Sequence, residues 1–147
     1  GGKNFVENVL GWAGERKEVQ VVNDQVFSPT YTVDLVKKIL QLLEAGKTGT
    51  VHVTNQGSCS WYEFAKAIGE IAFEEHVIEA RELFIVPCSS AERVAPASRP
   101  YFSVLGHGRL ADWGMDDLQF WRDALHAYMK DRIKYRGLPF IPAQAPR

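Results

Sequence analysis

The chain has 147 residues, 46 % of them apolar and 12 % aromatic, which suits one folded domain with a real core and excludes a disordered segment. Seventeen basic against eighteen acidic residues leave a net charge of −1, so no global field favours nucleic acid or an anionic membrane. No apolar run reaches the length of a membrane span, and the two cysteines, Cys59 and Cys88, form neither a disulfide framework nor a zinc set and suit a reducing cytoplasm.

The first residue is Gly1 rather than Met, and no signal peptide follows it, so the N-terminus reads as a processed end or a cut in a longer chain. Phe5, Val6, Val9, Leu10 and Ala13 recur at helical spacing, with Gly14 as the expected stop. Val19 to Val22 reads as a short strand. Val33, Val36, Ile39, Leu40 and Leu43 mark the face of a second helix, and Gly46 stands where a left-handed residue ends a helix cheaply. Thr50 to Thr54 alternates as a strand, and Asn55 to Ser58 forms a turn. Ser60 and Glu63 have capping-box spacing, opening a helix that turns Trp61, Phe64, Ala65, Ile68 and Ile71 inward.

Leu83 to Val86 reads as a third strand closed by Pro87, and Cys88 to Ser103 as an ordered loop. Asp116 or Asp117 is the expected cap of a last helix carrying Leu118, Trp121, Leu125, Tyr128 and Met129 on one face. The proline-bearing tail 137–147 is set apart from a domain over 1–136. The expectation is an α/β fold with a small, partial sheet of three short strands and about four helices. So thin a sheet suggests part of a larger whole.

Between the strand at Val22 and the helix at Val33 the chain crowds hydrogen-bonding side chains: Asn23, Asp24, Gln25, Ser28, Thr30 and Tyr31. Ordered segments here and elsewhere resemble the C-terminal half of dTDP-4-dehydrorhamnose reductases, members of the extended short-chain dehydrogenase/reductase group. They are Gly2-Lys3-Asn4-Phe5-Val6, Val22-Asn23-Asp24-Gln25 with Ser28-Pro29-Thr30, Val33-Asp34-Leu35, Gly49-Thr50-Val51-His52-Val53, Ser60 to Ala65, and Arg99-Pro100 followed by Ser103 and Leu105.

The resemblance implies a two-part enzyme. An N-terminal Rossmann half would hold NAD(P)H and the catalytic Ser/Thr, Tyr and Lys, while the second half closes over the nucleotide-sugar. This chain resembles only the second half: no glycine-rich turn follows its first strand, so no cofactor is expected in it and NAD(P)H is implied for a complete enzyme. Tyr62 and Lys66 match the Tyr-x-x-x-Lys spacing of short-chain dehydrogenases. In the resembled half they lie far from any cofactor site, and they read as surface or packing residues, leaving no catalytic residue expected here.

The substrate implied is dTDP-4-dehydro-L-rhamnose, whose C4 carbonyl the complete enzyme would reduce in dTDP-L-rhamnose biosynthesis. Asn23, Gln25 and Thr30 offer donors and acceptors for its hydroxyls, and Phe27 and Tyr31 can shield the site or stack on the base. The alternative is that Asn23 and Asp24 build the turn and Thr30 or Thr32 caps the helix. Asp34, in that helix's first turn, reads as structural.

Arg99, with Ser103, matches an Arg-Pro-x-x-Ser pattern and can take diphosphate oxygens in a forked geometry, or brace its loop. Lys3 and Asn4 are further contacts the resemblance implies. Two departures from the family pattern stand out. Val26-Phe27 adds bulk beside the cleft, and Gly106-His107-Gly108 is expected to loosen the entry to Arg109-Leu110. The four histidines read as structural or solvated, and the four tryptophans as core and edge anchors, one of which could stack on a base. Besides the substrate-binding role, the partnerless half admits a non-catalytic regulatory or homo-oligomeric assembly module, and a truncated product without activity. Partners are then a nucleotide-sugar and either the missing Rossmann half or a second copy, with no nucleic acid and no membrane.

Overall fold

The computed structural model describes residues 4–15, 18–79, 84–92 and 97–136; the expectations for Lys3, Leu83 and the tail 137–147 fall outside these. The elements run α1 (Phe5–Glu15), β1 (Val19–Val22), β2 (Val26–Phe27), α2 (Thr32–Glu44), β3 (Cys59–Ser60), α3 (Trp61–Glu74), β4 (Ile85–Cys88), a 3-10 turn (Ser90–Glu92), α4 (Gly108–Asp112) and α5 (Trp121–Arg136).

Helix α3 is the hub, packing against α1, α5, β1, β3 and β4. Its capping box forms as the spacing predicts: Glu63 N–H donates to Ser60 Oγ at 3.1 Å and Ser60 N–H donates to Glu63 Oε2 at 2.7 Å. Ile68 and Ile71 of α3, Val9 and Leu10 of α1 and Met129 of α5 have no exposed surface and form the main core. Each such side chain contributes about 1.5–3 kcal/mol by leaving water.

The fold is mixed α/β, with the strands distributed differently from the sequence reading. β1 pairs in parallel with β4, Val19 opposite Ile85 and Val22 opposite Cys88, while β2 pairs antiparallel with β3. Pro87 therefore lies inside its strand instead of closing it, which a two-stranded sheet tolerates because every strand is an edge.

The strand expected at Thr50–Thr54 does not form. Its alternation has another cause: Val51 and Val53 pack on a second cluster of Leu42, Leu110 and Leu118, while His52 points to solvent. Among the described residues no backbone group of 51–54 finds a backbone partner.

Helix α5 begins at Trp121, later than a cap at Asp116 or Asp117 would place it. Those acids face elsewhere: Asp117 pairs with Lys38, whose side chain is 5 % exposed, and Asp116 accepts from Gln56 Nε2 at 2.6 Å. Helix α1 continues through Gly14 to Glu15. Helix α2 ends as expected on Gly46, at φ +62°, with Lys47 N–H donating back to Leu42 O.

The face of α2 that its periodicity picks out is turned outward. Val36 is 54 % and Leu40 53 % exposed, whereas Lys38 and Leu42 are the buried positions. Among the described residues no helix is long and apolar enough to cross a membrane.

Candidate functional site

Where α1, β2, the start of α2, α3 and α5 converge, the structure encloses a half-open cavity of about 310 Å³. Its wall is largely aromatic. Phe27 stacks on Trp61 at 4.0 Å between centroids, Phe5 meets Trp61 edge-on at 4.7 Å, and Phe64 meets Trp121 edge-on at 5.8 Å. Tyr31 and Tyr128 close the opposite side at 6.0 Å.

Four of the residues expected to contact a ligand line this cavity: Asn4, Phe27, Thr30 and Tyr31. Asn4 also caps α1, its Oδ1 accepting from Glu7 N–H at 2.9 Å, and its Nδ2 lies 3.4 Å from Tyr128 OH. Thr30 Oγ1 donates to Ser28 O at 3.3 Å, so it does not cap α2, and Thr32 is the first residue of that helix. Tyr31 precedes α2 and donates its phenol to Asp131. Burial, and then the bond to Asp131, pushes the Tyr31 phenol well above its ordinary pKa.

The other four do not line it. Asn23 Oδ1 accepts from Ser60 Oγ at 2.8 Å, tying the turn to the start of α3. Gln25 Nε2 donates to Ser90 Oγ at 2.8 Å. Between them Asp24 gathers the Ser89 hydroxyl and both the N–H and hydroxyl of Ser90. The Ser90 hydroxyl, then its N–H, holds the Asp24 carboxyl below the usual carboxylate range. The crowded polar turn thus clamps β1, α3 and the 3-10 turn together.

Ser103 donates its N–H and its hydroxyl to Val26 O at 2.9 and 3.2 Å. The parallel bridge between Val26 and Phe102 puts Ser103 level with Phe27, beside the cavity edge. Arg99 is exposed, four residues further back. At about 3.3–3.6 Å per residue, its Cα stands no more than about 14 Å from that of Ser103.

The residue that sequence reasoning missed is Asn55, taken only as part of a turn. It has no exposed surface. Its Oδ1 accepts from Tyr31 N–H at 2.7 Å, and its Nδ2 donates to Asp34 Oδ2 at 2.8 Å and to Gln119 O at 3.3 Å. Next to it, Gln56 O accepts from Trp121 N–H at 2.9 Å. Segment 54–56 therefore fixes the two cavity residues Tyr31 and Trp121.

His107 supports that segment, its Nε2 lying 2.7 Å from Thr54 Oγ1 and its Nδ1 2.8 Å from Asp116 Oδ1. The Gly106-His107-Gly108 departure is thus pinned where it was expected to loosen the entry. Trp121, Tyr128 and Phe5 also escaped assignment to the site, since their helical spacing signals packing alone.

Lys66 Nζ sits 5.9 Å over the Tyr62 ring on α3, and neither residue lines the cavity. Among the described residues no group of three or more His, Cys, Asp or Glu can hold a metal ion. β1 leads into Asn23–Gln25, whose side chains are tied to Ser60 and Ser90, where a pyrophosphate needs a glycine-rich loop opening a helix.

The family model described as RmlD substrate binding domain matches residues 1–133. The spore coat polysaccharide biosynthesis protein SpsK of Bacillus subtilis is 40 % identical over 132 residues, covering 90 % of this chain and 44 % of its own length. A dTDP-4-dehydrorhamnose reductase of Mycolicibacterium smegmatis is 37 % identical over 84 % of this chain and 36 % of its own length. Among solved structures, the dTDP-4-dehydrorhamnose reductase of Bacillus anthracis in complex with NADP superposes with a TM-score of 0.78. It has 37 % identity and covers 89 % of this chain and 44 % of that one. The chain spans less than half the length of the relatives it matches.

Proposed function

This chain belongs to the RmlD substrate binding domain family, and we propose that it is the nucleotide-sugar-binding portion of a dTDP-4-dehydrorhamnose reductase-like oxidoreductase. In this reading the substrate is dTDP-4-dehydro-L-rhamnose, on the way to dTDP-L-rhamnose. NAD(P)H and the groups that move the proton belong to polypeptide outside these residues, so the chain binds without catalysing. What its own residues do is bind, orient and exclude water, which speeds a reaction greatly when the reacting atoms are aligned.

The observation that carries the reading is the cavity, onto which Asn4 and, from the separate run 27–31, Phe27, Thr30 and Tyr31 converge. Calorimetric titration of the chain with dTDP-rhamnose, with NADPH as control, tests it. Saturable binding of the nucleotide-sugar alone is the expected result. Binding of NADPH with none of dTDP-rhamnose would overturn the proposal.

A second reading, an assembly module derived from the same family, is favoured by a different observation. The outward stripe of α2 runs into a groove of about 430 Å³ beside Val51, Val53 and Leu105, and the backbone of 51–54 there is unpaired among the described residues. Such surfaces favour association. Sedimentation at increasing concentration tests it: a dimer that Leu40→Glu dissolves supports this reading, and a monomer throughout removes it.

A further inference from the structure

Behind the cavity, three side chains stand in the order acid, imidazole, hydroxyl. Asp116 Oδ1 lies 2.8 Å from His107 Nδ1, and His107 Nε2 lies 2.7 Å from Thr54 Oγ1. An ionised carboxylate only accepts, so in the neutral ring Nδ1 carries the proton and Nε2 is bare. The Thr54 hydroxyl then donates to Nε2. In enzymes the same order activates a hydroxyl for attack. Here Thr54 is 5 % exposed and lines neither the aromatic cavity nor the groove beside Val53, so a substrate does not reach it. The order serves position instead.

What it positions follows from its neighbours. Asp116 Oδ1 also accepts from Gln56 Nε2 at 2.6 Å, so one carboxylate oxygen holds residue 56 directly and residue 54 through His107. Asn55, between them, reaches the other way, its Oδ1 taking Tyr31 N–H, and Gln56 O takes Trp121 N–H. The clasp therefore grips both sides of the residue that sets one cavity wall, and carries the carbonyl that sets another.

Apart from the packing of Val51 and Val53, little else fixes this stretch, since the backbone of 51–54 has no backbone partner among the described residues. On the other side of the clasp, His107 stands between Gly106 and Gly108, and a Cβ at either glycine would meet nothing within 4 Å. These glycines leave the backbone freedom that no close contact requires. The His107 side chain, 11 % exposed, is what ties their loop to 54–56.

We infer that His107 is a positioning residue for the cavity: Asp116 holds it in the Nδ1–H tautomer, and through the Thr54 hydroxyl it fixes the segment that aims Tyr31 and Trp121. This goes beyond the proposed function and does not depend on it, because the walls are set before any ligand arrives. His107, Thr54 and Asp116 are all set back from the cavity they shape.

The test uses the 147-residue chain without ligand. Nitrogen-15 spectra of the His107 ring at about pH 8, where an ordinary imidazole is neutral, should show a proton on Nδ1 and none on Nε2. This reading needs no variant, and a proton on Nε2 would overturn the proposal. Thr54→Val keeps the side-chain shape and removes the hydroxyl, leaving Nε2 without its donor. The amide protons of Tyr31 and Trp121 should then move upfield, as their bonds to Asn55 Oδ1 and Gln56 O lengthen. Thr54→Ser restores the hydroxyl and should return both signals to their original positions. A folded Thr54→Val whose changes stay within residues 53–55 and 106–108, with Tyr31 and Trp121 unmoved, would overturn the proposal. So would a Thr54→Ser chain that behaves like Thr54→Val, because the hydroxyl would then not be the link.

Discussion

Replacing Asn55 by Ala tests whether the buried hub at 54–56 holds the cavity in shape. The substitution removes three hydrogen bonds: the acceptor of Tyr31 N–H, one donor to the Asp34 carboxylate, and a longer bond to Gln119 O. A neutral hydrogen bond contributes about 1 kcal/mol net, and one to a charged group about 1.5–3 kcal/mol. Asp34 keeps a second donor, Gln119 Nε2 at 2.7 Å, which limits that part of the loss. The sum is about 3–4 kcal/mol. For a chain of this size each kcal/mol moves the melting temperature by about 2–4 °C, so Tm should fall by about 6–15 °C.

Calorimetry and urea denaturation read the loss directly, and Gln119→Ala serves as a comparison because its side-chain bond to Asp34 lies at the surface. That variant should lose about 1 kcal/mol or less. Asn55→Asp refines the test: it keeps an acceptor for Tyr31 N–H but sets a second carboxylate against Asp34. It should be less stable than Asn55→Ala at pH 7 and recover as the pH falls toward about 3.9, because burial and the facing carboxylate raise the folded pKa of the introduced carboxyl above its unfolded value. A loss below about 1 kcal/mol for Asn55→Ala would refute the argument, because it would mean that water replaces the amide and the hub fixes nothing.

Gly57 sits at φ +80°, and a Cβ there would come within 2.2 Å of the Phe120 ring, so Gly57→Ala should cost about 1–2 kcal/mol from the backbone alone and also move Phe120. Thermal melts measure the first, and the near-ultraviolet spectrum of the neighbouring Trp121 reports the second. Ser90→Ala removes the largest cause of the lowered Asp24 carboxyl. A depressed folded-state pKa stabilises fully above the unfolded value, near about 3.9, and that stability is lost as pH falls through the folded one. The gap between wild type and Ser90→Ala, read from urea midpoints, should therefore be widest at pH 7 and narrow below about pH 3.9 to the part due to the lost Gln25–Ser90 bond, which does not titrate. Burial, with Glu63 adding to it, pushes the Cys59 thiol up to about 12. It should resist thiol reagents at pH 8 in the folded chain and react at once in denaturant, as mass spectrometry of labelled peptides would show.

Local chemistry was legible in the sequence wherever both partners lie within a few residues. The Ser60–Glu63 capping box and the Gly46 helix end are of this kind, since each needs only one turn of backbone to form. What failed needed a partner distant in the chain. The alternation at 50–54 correctly reported that Val51 and Val53 share a buried side, but alternation cannot say whether a neighbouring strand exists to pair with. Asp116 and Asp117 have the right character for caps, yet His107, Gln56 and Lys38 reach them first across loops of different length. The stripe on α2 was read correctly as apolar and contiguous. Periodicity gives a face without giving its direction, and here that face looks outward.

The candidate site divides along the same line, and the division bears on what the polar turn is for. Asn23 and Gln25 were read as ligand contacts because a sugar wants donors and acceptors, and the same wants are met by Ser60, 37 residues on, and Ser90, 65 residues on. Phe27, Thr30 and Tyr31, a few positions later, do reach the cavity, because β2 turns Phe27 toward Trp61 and Asn55 holds Tyr31 at the entry to α2. The crowding of hydrogen-bonding side chains between β1 and α2 is therefore two devices in series. The first is a clamp that fixes where the chain leaves β1 for β2, and the second is a short wall that this fixed exit aims at the cavity. Rigidity in the clamp is what gives the wall its position, so substitutions at Asn23 or Asp24 should act on ligand affinity through geometry, without either residue touching the ligand.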